Sequence, residues 1–141
     1  MSIESTATKY DWAYGERIPA DPDTITTTLP NATSVETAVF NFGKVQSRVE
    51  AEIFAVEELT IADLSTFTIE LFWDKDADGT FSDSRVIASY APSGAAQVIS
   101  AGSTIGIITP ETDVELYCKV KYTASGNLSS NTAKLELYPT A

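Results

Sequence analysis

The chain has 141 residues, 43% of them hydrophobic, with nine basic residues, twenty acidic ones and no histidine, for a formal charge of −11. This length and apolar content fit one domain with a real core, and the acidic excess argues against direct nucleic-acid binding, which needs Lys and Arg to neutralise phosphates. No apolar run approaches the ~18 residues of a membrane span, Met1-Ser2-Ile3-Glu4 lacks the basic opening of a signal peptide, and the single Cys118 cannot form an internal disulfide.

Residues 1–34 carry Pro19, Pro22 and Pro30, many Thr and Ser, and no sustained period, so they read as an extended N-terminal arm, with the folded domain over 35–141. Within the arm, Tyr10, Trp12 and Tyr14 are spaced by two, which puts three aromatic rings on one side of an extended backbone. They form either a docking strip for a partner or a strip that folds back on its own domain.

From Val35 onward the pattern is one of short strands. Glu36 to Phe42 sets Ala38, Phe40 and Phe42 on one face and ends at Gly43; Val49 to Val56 alternates Val49, Ala51, Ile53 and Ala55 against Glu50, Glu52 and Phe54. Glu57 to Leu64 is too short for a stable helix and reads as a connector. Thr66 to Tyr90 reads as a hairpin: Phe67, Ile69, Leu71 and Trp73 face a core, the run Asp74-Lys75-Asp76-Ala77-Asp78-Gly79 makes an acidic turn, and Arg85 to Tyr90 returns. Short strands follow over Ala95 to Ser100 and Ser103 to Ile108. A long one covers Asp113 to Tyr122, with Val114, Leu116, Cys118, Val120 and Tyr122 on one side, and a last one runs from Thr132 to Tyr138. About eight short strands with turn residues between them predict an all-β protein, an antiparallel β-sandwich or jelly roll.

Between Glu50 and Asp83 ten acids stand against one base, Lys75. Such a field maintains solubility or steers a basic partner. Asp74-x-Asp76-x-Asp78-Gly79 matches the first half of a calcium loop, but the twelfth position is Arg85 where a bidentate Glu is needed. The segment is therefore either an irregular calcium site on Asp74, Asp76 and Asp78 or an acidic hairpin tip. Catalysis is not expected. Without histidine there is no usual triad and no imidazole zinc ligand, Cys118 has no neighbouring base and lies on the apolar side of its strand, and no glycine-rich phosphate loop occurs.

Three stretches carry a family resemblance: Ala32-Thr33-Ser34-Val35-Glu36-Thr37-Ala38-Val39-Phe40-Asn41-Phe42-Gly43; Leu64-Ser65-Thr66-Phe67-Thr68-Ile69-Glu70-Leu71 with the tip Asp76-Ala77-Asp78-Gly79-Thr80-Phe81-Ser82; and Val114-Glu115-Leu116-Tyr117-Cys118-Lys119-Val120-Lys121-Tyr122-Thr123. On these the chain resembles the jelly-roll cement (decoration) proteins of tailed-bacteriophage capsids, over about Thr33 to Tyr138, with the arm outside the resemblance. The resemblance implies a non-enzymatic virion protein on the capsid exterior, made in the host cytoplasm. It would bridge copies of the major capsid protein and associate with itself as a dimer or trimer to match capsid symmetry. It requires no cofactor; the contact residues expected on this reading are the arm aromatics Tyr10, Trp12 and Tyr14, which the resemblance itself does not cover, with the loop Asp74 to Asp78 as a second candidate for capsid contact or cation binding. Two other readings share the architecture. A carbohydrate-binding module would stack sugars on exposed Trp and Tyr and often hold calcium, and a tail or fibre domain would follow the same assembly logic.

Overall fold

The computed structural model describes residues 24–41, 49–74, 80–81, 83–108 and 117–139. Among them lie eleven strands and no helix: β1 (Thr24–Thr28), β2 (Ser34–Glu36), β3 (Phe40–Asn41), β4 (Val49–Ala55), β5 (Leu59–Ile61), β6 (Phe67–Asp74), β7 (Asp83–Tyr90), β8 (Gln97–Ile99), β9 (Thr104–Ile108), β10 (Tyr117–Ala124) and β11 (Thr132–Pro139).

Two sheets carry the fold. One has the order β1-β11-β4-β9; the other runs β2-β10-β6-β7, with β3 also pairing β10. All pairings are antiparallel. They nest: β1 joins β11, β2 and β3 join β10, β4 joins β9, and β6 joins β7. A long hairpin rolled up on itself gives this order, and β11–β4 and β10–β6 are the seams closed by the rolling. That is a jelly roll, a sandwich built from two Greek keys. The short β5–β8 ribbon is an addition to it.

The expected alternation positions the core. Ala51, Ile53 and Ala55 from β4, Phe67, Ile69 and Leu71 from β6, Cys118, Val120 and Tyr122 from β10, and Ala133 and Leu135 from β11 are all buried. Each strand contributes every second residue because side chains alternate across the pleat. Gly106 marks a close approach of the two sheets: a Cβ there would lie 3.5–3.6 Å from the Cδ1 atoms of Ile53, Ile69 and Ile87. A side chain larger than a methyl would push these isoleucines aside.

Several expected boundaries move. Residues 24–34, placed in the arm by the sequence, include β1, which pairs over Thr24–Thr28 with β11 and is the first strand of the roll. Its sequence, Thr-Ile-Thr-Thr-Thr, shows only one strongly apolar residue, yet both Ile25 and Thr27 are buried. Threonine is β-branched and suits a strand, and the non-local ladder with β11 supplies the remaining stabilisation. The strand expected over 36–42 is interrupted at 37–39. There Thr37 donates its N–H to the Val120 carbonyl at 2.9 Å, its hydroxyl accepts the Val120 N–H at 3.1 Å, and the same hydroxyl donates to the Ala38 carbonyl at 2.9 Å. A side chain thus takes a place in the ladder while the backbone steps aside. The expected connector contains β5, and the long strand expected from Asp113 is described from Tyr117 and runs on to Ala124.

Candidate functional site

Tyr10, Trp12 and Tyr14 lie outside the described residues, as do Asp76 and Asp78. Asp74 is the last residue of β6, half-buried and opposite Tyr117 of β10, and Asp83 opens β7 opposite Trp73. The two strands of the expected hairpin are therefore paired, and residues 75–79 of the acidic run lie outside the described residues. Among the described residues no three His, Cys, Asp or Glu side chains gather as a metal site.

The best-defined polar cluster lies on the outer side of the β6–β10 sheet. Lys119 projects from β10, and its Nζ is 3.2 Å from both carboxylate oxygens of Glu36 on β2. The same ammonium lies 5.6 Å from the ring centroid of Phe72, its register partner on β6, and 4.8 Å from that of Phe81. Each cation–π contact at a partly exposed site contributes about 0.5–1 kcal/mol, and the ion pair at most about 1 kcal/mol. Their common effect is to hold one cation between an acid and two rings. Lys121 lies opposite Glu70 on one side and Glu36 on the other. Among the described residues this face is mixed in charge and partly aromatic.

Three further titratable groups, Cys118, Tyr122 and Tyr90, face inward. Cys118 is fully buried, and desolvation pushes its thiol up to about 12. Burial likewise raises the Tyr122 phenol far above its ordinary range and that of Tyr90 less. Tyr90, Phe67 and Tyr122 form a row of rings across β7, β6 and β10, with centroids 6.0 and 6.4 Å apart. The Tyr90 hydroxyl donates to the Ile105 carbonyl on β9 at 2.8 Å, tying the two sheets together. The Tyr122 hydroxyl is buried with no hydrogen-bond partner among the described residues.

At the end of the sandwich where β5 leads to β6, the loops are knitted together. Leu64 donates its N–H to the Pro92 carbonyl at 3.0 Å, Asp63 Oδ1 accepts the Gly94 N–H at 2.8 Å, and Ser125 Oγ accepts the Thr66 N–H at 2.7 Å. Leu64 itself has φ 65° and is 79% exposed. A surface depression lined by Phe54, Val56, Gly102, Lys134 and Glu136 lies on the outer side of the other sheet.

The sequence did not point to the Lys119 cluster, whose members come from four parts of the chain; the only local signal is the outward alternation of Tyr117, Lys119 and Lys121.

No protein-family model matches the chain, and no curated protein matches it either. Among solved structures, it is similar to the structure of the infectious bursal disease virus Gt strain, with TM-score 0.32 and 11% identity over 84% of this chain and 28% of that one. It is also similar to the VP2 subviral particle of infectious bursal disease virus, with TM-score 0.28 and 12% identity over 88% of this chain and 37% of that one. The chain thus spans about a third of the length of these proteins. The fold assignment rests on the strand order and not on these likenesses.

Proposed function

We propose that this protein is a non-enzymatic structural component of a virion, a cement subunit that binds the outer surface of a tailed-phage capsid and bridges neighbouring major capsid proteins. The observation that carries the reading is the jelly-roll strand order, joined to the residue patterns that resemble the cement family. The inward placement of Cys118 and the lack of histidine in the sequence support adhesion over turnover. A subunit that binds only the assembled lattice lowers that state's free energy by mass action, and repetition over equivalent sites compounds the effect. The reading requires no bound cofactor. Tyr10, Trp12 and Tyr14 are the proposed contact residues, because rigid aromatic side chains give large contact area at low entropic cost.

The test is co-sedimentation with expanded shells of the phage that encodes the chain. Saturable binding is expected, and Trp12→Ala should weaken it while leaving the melting temperature of the unbound protein in place. Retention on insoluble polysaccharide with none on shells would replace the cement reading by a carbohydrate-binding one. Equal loss of affinity and melting temperature in Trp12→Ala would place that residue in the core instead.

A further inference from the structure

The two ends of the roll differ in chemistry. Strand register sets Thr28 beside Thr132, Ala55 beside Ala133, and Phe67 between Tyr90 and Ala124 at one end. At the other it sets Thr24 beside Glu136, Val49 beside Pro139, and Asp74 beside Tyr117. Every strand that leads into residues outside the described ones does so at this second end. The loops of the first end are described throughout.

Four of those loops, 30–34, 62–66, 91–94 and 125–128, are bonded to one another. Ala32 donates its N–H to the Gly126 carbonyl at 2.8 Å, Ser125 to that of Thr66 at 3.0 Å, and Leu64 to that of Pro92 at 3.0 Å. In a chain of nine bases and twenty acids, these loops carry one charge, Asp63, whose Oδ1 accepts the Gly94 N–H. They also contain the two non-glycine residues with positive φ among those described, Ala32 at 52° and Leu64 at 65°. A left-handed backbone is unfavourable for a residue with a Cβ and suits glycine or asparagine. Here it holds out a leucine that is 79% exposed, and strained backbone of this kind gathers at functional surfaces.

We infer that this end is a docking surface with Leu64 as its anchor, seated in an apolar socket on a protein whose rim is basic. The inference rests on the cement reading, which makes that protein the assembled shell. Position and charge select the occupant. The undescribed stretches attach at the far end, so no adjoining segment of the chain covers this one. A second copy would bring one chain of formal charge −11 against another. The four loops hold no aromatic residue on which a sugar could stack. Glu57 and the exposed Glu58 flank them, with the Glu58 carbonyl accepting a bond from Asn131 Nδ2 at 2.7 Å, so the rim is acidic and its complement basic. An uncharged centre inside a polar rim is the usual composition of a protein interface. A bridge between neighbouring capsid proteins also needs two contact surfaces, and the arm joins the domain at the opposite end.

The experiment is co-sedimentation of the full chain with expanded shells, with urea melts of the same variants. Leu64→Gly and Leu64→Asn suit the left-handed backbone and should unfold at or above the wild-type midpoint, yet each should weaken shell binding roughly tenfold or more, the loss of one buried leucine side chain. A merely structural role for Leu64 would lower midpoint and binding together, and that result overturns the proposal. Glu58→Lys should weaken binding at low salt and much less at high salt, because salt screens the rim. Val86→Lys, at an exposed position in the middle of β7, should bind as the wild type does. Leu64 variants that bind at wild-type strength overturn the proposal, as does Glu58→Lys without effect at low salt; in both cases the cement reading stands on the binding of the wild type. A wild type that does not bind shells overturns the cement reading itself and takes the partner of this surface with it.

Discussion

Removing one oxygen from each of two core tyrosines should move stability in opposite directions. Tyr90 spends its hydroxyl on the Ile105 carbonyl across the sandwich at 2.8 Å, whereas the Tyr122 hydroxyl is buried without a partner among the described residues. A typical intramolecular hydrogen bond contributes about 0.5–1.5 kcal/mol net, while an unsatisfied buried polar group costs about 1–3 kcal/mol. Tyr90→Phe should therefore lose about 1 kcal/mol, with the Ile105 carbonyl left short of a donor. Tyr122→Phe removes a group that is hydrated in the unfolded chain and stranded in the folded one. A small void where the oxygen stood offsets part of that gain, so an increase of about 1 kcal/mol is expected, near 4 °C in melting temperature for a domain of this size. Urea melts of the two variants and the wild type, fitted with a common m-value, measure both. If Tyr122→Phe is destabilised as much as Tyr90→Phe, its hydroxyl has a partner and the accounting is wrong.

Thr37→Val should cost about 2 kcal/mol, because it leaves the buried Val120 N–H and the Ala38 carbonyl without the hydroxyl that serves both; Thr37→Ser, which keeps the hydroxyl, should lose much less, and equal losses would show that only packing matters there. Leu64→Gly should stabilise by about 0.5–1 kcal/mol, since it relieves a left-handed backbone at φ 65° and removes an apolar side chain that is 79% exposed; a loss in a thermal melt would mean that the Leu64 side chain holds the loop. Cys118, raised from 9.0 to about 12 by burial, should resist alkylation in the folded protein and react on unfolding. The linkage sign follows: the folded state keeps the proton longer than the unfolded one, so stability from this group is intact below about pH 9 and falls between about pH 9 and pH 12. Its slope is at most roughly 1.4 kcal/mol per pH unit. Cys118→Ala should flatten that alkaline decline, and an unchanged slope would assign it to other groups.

The alternation in β4, β6, β10 and β11 was legible because burial of every second residue is written into neighbouring positions, so Ile53, Ile69, Val120 and Leu135 could be placed inward before any partner strand was known. The pairing of β6 and β7 was legible for the same reason, the two strands being consecutive in the chain and separated by a stretch whose sequence carries its own turn signal. β1 was not: its polar threonines became a strand only through pairing with β11, more than a hundred residues away in the chain. Nor was the Lys119 cluster, whose acid at Glu36 is 83 residues from the lysine.

Pleat and composition are local properties, and by themselves they determined that this chain is all-β, acidic and without histidine. Which strands neighbour one another, where Thr37 replaces a backbone group, and which loops gather at one end of the sandwich were decided only when the hairpin rolled up, since each depends on contacts between segments that no short window of sequence contains.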